Sequence, residues 1–443
     1  MRSQVRDQKS EVRSRLGAVA TATIGERDPR IADRQPQITN QQSPIRNPQS
    51  AIRVSLFTGG DDRPYVLGLT EAFTSVGVVF DLIGSDDLNL PELLNNRRIN
   101  FLNLRGDQRP EASLRTKIRR IGAYYWRLIR YAATARPNLF HILWNNKFEF
   151  FDRSVLMLYY KLLGKKIAFT AHNVNAHKRD GKDSFLNRLS LRIQYRLSDH
   201  IFVHTERMKV ELLSDFGVQE DKVSVIPFGI NNTAPNTALT SIESKQMLGI
   251  RSGEKAMLCY GQIAPYKGLE YLITAFIELL KRDGSYQLII AGKPKWNELY
   301  WKQIEQLMIR SGVRDKVIER IEHVPDDETE LYFKAADVLI LPYTRVFQSG
   351  VLFLGYSFGL PVIASDVGSL KEEIIEGETG FVFKPRDSSD LARKIHNYFN
   401  SELFRNLESR RAEIKAYANE RYSWDRVAAV TTRVYSRFLS GNI

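Results

Sequence analysis

Short apolar runs that end in glycine or a small polar residue, each followed by a helix-length amphipathic stretch, recur along most of this chain. The first set reads "IRVSLFTG", "VVFDLIG", "RINFLNLRG", "NLFHILWN", "KKIAFTAHN", "DHIFVHT" and "KVSVIPFGI". The second reads "KAMLCYGQ", "YQLIIAG", "KVIERIEHV", "DVLILPY", "PVIASD" and "GFVF". Runs this short, rich in Val, Ile, Leu and Phe and separated by helical patterns, predict strands of a parallel sheet covered by helices on both faces. Between the sets, residues 231–252 break the rhythm with Asn, Thr, Pro and Ser. The pattern predicts an α/β fold of two Rossmann-like, doubly wound parallel-sheet domains, at 51–230 and 253–405, facing a cleft. Residues 231–252 are the expected linker, and helices over 406–443 are expected to pack across both domains. Ligands of such a pair bind in the cleft, at the C-terminal ends of the strands. Residues 1–50 are dominated by Arg, Gln, Ser, Asn and Pro, too few aliphatics to offset ordering entropy, which predicts a disordered tail.

Sixty-four Lys and Arg against 51 Asp and Glu give a formal net charge of +13. That excess suits an anionic partner: nucleic acid, a phosphate-bearing substrate or a membrane surface. At 113–131 ("SLRTKIRRIGAYYWRLIRY") basic residues interleave with Tyr and Trp, yet no nucleic-acid motif accompanies them, so no nucleic-acid partner is expected. The segment sets Leu114, Ile118, Ile121, Tyr125, Leu128 and Ile129 on one helical stripe. Arg115, Arg119, Arg120, Arg127 and Arg130 lie opposite, with no acidic residue present. It reads either as a surface helix packed on the first sheet or as a contact for an anionic membrane or a polyprenyl-phosphate acceptor. No apolar run approaches the ~20 residues of a membrane span, and "GAVATATIG" is too short and weak for a secretory core. The expected location is cytoplasmic, with peripheral contact at the inner face of the membrane. The single cysteine, Cys259 in "AMLCYG", reads as a buried strand residue.

The stretch "RVFQSGVLFLGYSFGLPVIASD" offers two opposed chemistries, and after Arg345 it carries no charge until Asp366. "GYSFG", with Asp366 and His396 downstream, matches the nucleophile elbow of a serine hydrolase. An elbow needs a strand entering and a helix leaving, whereas Gly359 is followed by Leu360, Pro361 and the strand "VIAS". A helix starting near Ser349 accounts for the same residues. Gly355, Ser357 and Gly359 then serve packing and capping, and the free amides at Gly350, Val351 and Leu352 point at an anion. Gln348 and Ser349 add neutral hydrogen-bond donors, and Gly350 permits close backbone approach. In "GQIAPYKGLEYLITAF", Lys267 sits at a neighbouring strand end, where a mobile ammonium suits a phosphate. His200 and His204 share a strand face and His172 and His177 share a loop, but neither pair has further ligands in sequence, so no metal is expected.

These residues resemble a known family. "YGQIAPYKGLEYLITAF", "YFKAADVLILPY" and "SGVLFLGYSFGLPVIASDVGSLKEEIIEGETGFVF", with "HTERMKVELLSDFGVQEDKVSVIPFGI" before the linker, resemble glycosyltransferase family 4, of the two-domain GT-B architecture. The resemblance spans residues 51 to 435. It implies transfer of a sugar from a nucleotide-diphosphate donor to a glycan, lipid-linked or small-molecule acceptor, without a cofactor or metal and with retained configuration. It implies catalytic roles for His172, beside the reacting sugar, and Lys267, on the donor diphosphate. Gly59 and Gly60 match the glycine loop of the first domain, and Glu372 matches a family acid that assists donor binding. Gln262 stands where the family has an arginine, and Val346 and Leu354 where it has a pair of glutamates. Gln348 and backbone amides are the candidates to replace them. The alternatives are an inverting GT-B enzyme and a catalytically silent GT-B protein that binds a partner.

Overall fold

The computed structural model describes residues 52–439, apart from 60, 61, 109–111, 180, 231, 233 and 295–297. The tail expected over 1–50 and the candidate Gly60 lie outside the described residues. Strands β1 (Arg53–Phe57), β2 (Val79–Gly84), β3 (Ile99–Asn103), β4 (Leu139–Ile142), β5 (Lys166–Ala171), β6 (His200–Val203) and β7 (Val223–Val225) form one parallel sheet, ordered β3-β2-β1-β4-β5-β6-β7. Strands β8 (Lys255–Tyr260), β9 (Tyr286–Ala291), β10 (Val317–Arg320), β11 (Val338–Leu341), β12 (Val362–Ser365) and β13 (Gly380–Phe383) form the second, ordered β10-β9-β8-β11-β12-β13. Every residue of β4, β6, β11 and β12 is buried, as strands covered on both faces must be. The strand order reverses between β1 and β4 and again between β8 and β11. Each reversal opens a crevice at the strand C-termini.

The connection over 231–252 is docked. Ile230, Leu239 and Ile250 join the core of the second sheet. Helix Ser241–Met247 starts from a capping box between Thr240 and Glu243. Its Lys245 meets the buried Asp337 at 2.7 Å, and the other oxygen of Asp337 accepts from the Ala256 amide at 2.8 Å. A carboxylate this deep is stable only with such partners.

Helix Leu407–Arg421 packs on helix Gly350–Ser357 so closely that a Cβ on Gly359 would lie 2.2 Å from the Arg411 carbonyl oxygen. Helix Trp424–Leu439 then returns to the first domain. Its Val427, Ala428, Val434 and Tyr435 share a core with Val54 and Leu56. The Trp424 indole lies against Gly68 and Gly229 and donates to the Ile230 carbonyl at 2.9 Å.

One expectation needs correction. Helix Leu114–Thr134 buries Tyr124, Tyr125, Leu128 and Ala132, but Leu114 and Ile118 are 73% and 62% exposed. The apolar stripe meets the sheet only in the second half of the helix. In the first turns Lys117, Arg120 and Ile121 face a cavity shared with Arg105, Asp107 and Gln108, while Leu114 and Ile118 stay at the surface.

Candidate functional site

The cleft holds a cavity of about 440 Å³ at the switch point of the second sheet. The loop after β8 contributes Gln262, Tyr266 and Lys267, and the loop after β11 contributes Tyr343, Val346 and Gln348. The first turn of helix Gly350–Ser357 closes one side, while Asp62 and Tyr65 of the first domain face it.

Lys267 ends a tight turn over Pro265–Lys267. Gly268 follows with φ 67°, where a Cβ would lie 2.1 Å from the Pro342 carbonyl oxygen. Only glycine permits that approach, and it brings the β8 loop against the β11 loop. The Lys267 ammonium stands 4.0 Å from the centroid of Tyr343 and donates to its hydroxyl. That hydroxyl lies 3.2 Å from Ser349 Oγ. Burial raises the Tyr343 phenol, which therefore stays protonated. Ser349 is the N-cap residue of helix Gly350–Ser357, yet its side chain makes no capping bond. Its hydroxyl faces Tyr343, so the Gly350 and Val351 amides keep their need for an acceptor, whereas the Leu352 amide, expected to be free, already donates to the Ser349 carbonyl at 3.1 Å.

The Gln348 amide lies beside Glu373, while its own Oε1 is buried with no partner among the described residues. Burial holds the Glu373 carboxyl above the usual range, and Tyr422 donates to it. Glu372, the expected donor-binding acid, is exposed on the turn Leu370–Glu373 and does not line the cavity. Gly59 (φ 64°) is packed on Trp144 behind the cavity wall.

His172 also stands behind the wall, stacked on Trp144 at 4.0 Å and met edge-on by Tyr65 at 4.7 Å. Its tautomer follows from its neighbour. His204 Nδ1 faces the Ile226 carbonyl at 3.4 Å. A carbonyl only accepts, so that nitrogen carries the proton. Burial lowers His204 to about 4 and His172 well below its ordinary value, so both are neutral. His204 Nε2 then accepts from His172 Nδ1 at 2.9 Å. A lone pair remains on His172 Nε2, buried and without a partner among the described residues. The Tyr65 hydroxyl is buried in the same state. Orphaned polar atoms are costly and rare in native proteins, and three gather here: Tyr65, His172 and Gln348.

The hydrolase alternative fails on geometry. Ser357 lies inside the helix and donates to the Leu354 carbonyl at 2.8 Å, and exposed His396 interacts with Asn400. Sequence reasoning missed Asp62, Tyr65 and Tyr343. Tyr343 had a usable signal, because it ends the strand run "DVLILPY".

Residues 241–421 match the family described as glycosyl transferases group 1, and residues 64–233 match glycosyltransferase family 4. The chain is a family 4-like glycosyltransferase of the GT-B fold. This family 4-like chain is 31% identical to an uncharacterized glycosyltransferase of Methanocaldococcus jannaschii, over 54% of its own length and 60% of that relative's. It spans between about half and two thirds of the length of the curated relatives it matches. Sucrose-phosphate synthase of Thermosynechococcus elongatus has a similar fold (TM-score 0.70, 18% identity, covering 88% of this chain and all of that one). So does HepE of Anabaena, solved with UDP and glucose (TM-score 0.67, 17% identity, 87% and 99% covered).

Proposed function

We propose that this chain transfers a glycosyl group from a nucleoside diphosphate sugar to a hydroxyl of a glycan, lipid-linked saccharide or small molecule, without a metal and with retained configuration. The observation that carries this reading is the convergence on one cavity of Lys267 and the uncapped start of helix Gly350–Ser357. The acceptor oxygen bonds to the anomeric carbon as the bond from that carbon to the diphosphate breaks. The hydroxyl proton leaves with the diphosphate or to water. Negative charge grows on the departing diphosphate, and a fixed ammonium with preoriented amides stabilises it where it forms. The Gln348 Oε1 lone pair is an acceptor for a ribose or sugar hydroxyl, and the Tyr65 hydroxyl, with His172 packed against its ring behind the wall, is a donor. Retention is supported by the cavity's carboxylate inventory. Among the described lining residues only Asp62 is acidic, and it caps helix Arg63–Ser75 by accepting from the Tyr65 amide at 3.1 Å.

The test is calorimetric binding of a panel of UDP-, GDP- and ADP-sugars, followed by anomer analysis of any product. Specific binding that is lost in Lys267→Ala supports the reading. Binding without turnover on any acceptor would leave the silent partner-binding alternative, an inverted product would leave the inverting one, and no binding would sink the proposal.

The proposal extends to peripheral contact with an anionic membrane through 113–131. Leu114, Ile118 and Trp126 (67% exposed) share the solvent side with Arg115, Arg119, Arg127 and Arg130. Such a face suits an interface plane, and no helix among the described residues is long and apolar enough to cross a membrane. Trp126→Ala together with Ile118→Ser should reduce sedimentation with anionic vesicles; equal sedimentation would remove this contact.

A further inference from the structure

A second pocket, of about 260 Å³, opens under the first turns of helix Leu114–Thr134. It sits at the C-terminal ends of β3 and β4, beside the loop that follows β1. The loop after β3 supplies Arg105 and Asp107, the helix supplies Lys117, Arg120 and Tyr124, and the loop after β4 supplies Asn146 and Lys147. Four cations face one carboxylate.

The charges are positioned rather than scattered. Arg105 donates to the Gly59 carbonyl, and its guanidinium lies 5.2 Å from the centroid of Tyr124. Arg120 pairs with Asp107 at 2.8 Å. Lys117 and Lys147 have no carboxylate partner among the described residues. The floor is fixed from below: Tyr124 donates to Asn146 at 2.6 Å, and Asn146 and Tyr125 donate to the buried Asp152 at 3.2 and 2.9 Å. Asp152 opens a π-helical segment, Asp152–Leu156, inside a helical run, a local widening often found at functional sites. Like charges gathered in one concavity repel unless an anion joins them. Guanidinium and ammonium groups converging on one point match the oxygens of a phosphate.

We propose that this pocket binds a phosphate group carried by the acceptor. The inference rests on the transferase reading, which supplies the acceptor, and on topology. Arg105 touches the carbonyl of Gly59, while Asp62 and Tyr65, a few residues further along the same chain segment, line the donor cavity. An acceptor anchored by its phosphate on one side of that segment can extend its hydroxyl towards the other. The aromatic and aliphatic wall of Tyr124, Tyr125 and Ile121 suits the body of such a molecule. The phosphate has two possible sources, a soluble sugar phosphate or a lipid-linked phosphate, and the same atoms recognise both.

The experiment uses the full chain and the double variant Lys117→Ala/Lys147→Ala, whose ammonium groups have no carboxylate partner among the described residues; an unchanged thermal midpoint confirms folding. Glycerol 3-phosphate is the soluble probe, and neutral vesicles with and without polyprenyl phosphate are the lipid probe. Binding of either probe should weaken about tenfold or more in the double variant, while UDP binding stays as in the wild type. Response to the soluble probe assigns a soluble acceptor, and response only to doped vesicles assigns a lipid-linked one. If nucleotides bind normally but neither probe distinguishes the double variant from the wild type, the pocket proposal is overturned and the transferase reading stands. If the probe binds through these lysines but no nucleotide binds anywhere, the anion site survives as a site while its assignment to an acceptor is overturned.

Discussion

Replacing Lys267 with methionine separates a binding role from a structural one. The side chain is 8% exposed, with its ammonium over the Tyr343 ring at 4.0 Å. Desolvating that cation costs several kcal/mol, and the ring and hydroxyl of Tyr343 return about 2 to 3 kcal/mol. Methionine of similar length fills the volume and removes both terms, so the empty protein should lose little or no stability. A nucleoside diphosphate loses one charge-assisted hydrogen bond, about 1.5–3 kcal/mol, which weakens its binding about 10- to 150-fold. Calorimetry with the tightest-binding nucleotide of the panel gives the affinity, and a thermal melt gives the stability. The reasoning is refuted if affinity is unchanged. It is also refuted if the midpoint drops by more than about 5 °C, because Lys267 would then be a packing residue. Lys267→Arg is a sharper control: the residue is buried, with its ammonium 4.0 Å from the centroid of Tyr343, leaving little room for the wider guanidinium, so restoring charge should not restore affinity.

Buried histidines set an acid limit on stability. Burial lowers His141 to about 3 and His200 and His204 to about 4. The unfolded chain takes up these protons near pH 6.5 and the folded one does not, so stability falls as pH drops from about 6.5 towards 4. Each histidine adds about 1.4 kcal/mol per pH unit, and urea unfolding that is equally stable at pH 7 and pH 5 would contradict this. Gly359→Ala forces a side chain into φ 66° and against the Arg411 carbonyl; it should destabilise by about 3 kcal/mol or more, read as a lower urea midpoint. Gln348→Glu sets a carboxylate beside buried Glu373. Donor affinity should fall about tenfold at pH 8 and recover towards pH 5 as the pair takes up a proton, and a pH-independent loss would rule out that coupling.

The strands were legible because both faces of each sheet are covered, which leaves continuous apolar runs such as "VLIL" and "VIAS" and no ambiguity of face. The start of helix Gly350–Ser357 was legible because a stretch without charge before a helix has few other uses. Tyr65, Asp62 and Trp424 were not legible as cavity residues, since the crossing of two domains and a returning last helix brings them there from distant positions. Glu372 entered only through the family match, because sequence cannot say which side of a tight turn an acid occupies, and here it is exposed outside the cavity lining. Leu114 and Ile118 fooled the periodicity for a related reason. A helical stripe identifies a side, but whether a sheet lies beneath that side depends on where the sheet ends.

The two pockets divide the electrostatic work. Among the described residues lining the donor cavity, Lys267 is the one cation and Asp62 the one anion. On the proposed reading, a nucleoside diphosphate there would be held by short-range, preoriented groups: amides at a helix start, a buried ammonium and neutral side chains. Such contacts gain strength as charge builds on the departing group, and they are weakly screened by salt because solvent is excluded from them. The second pocket has the opposite character, with partly exposed cations whose field reaches into solvent and is screened beyond roughly 8 Å at physiological salt. Salt should therefore raise the acceptor KM strongly while leaving the donor affinity nearly constant. A site that stabilised its leaving group with the same exposed cations that attract its acceptor would let each anion compete for the other's place. Keeping the donor cavity nearly neutral, with Val346 and Leu354 in its wall, removes that competition.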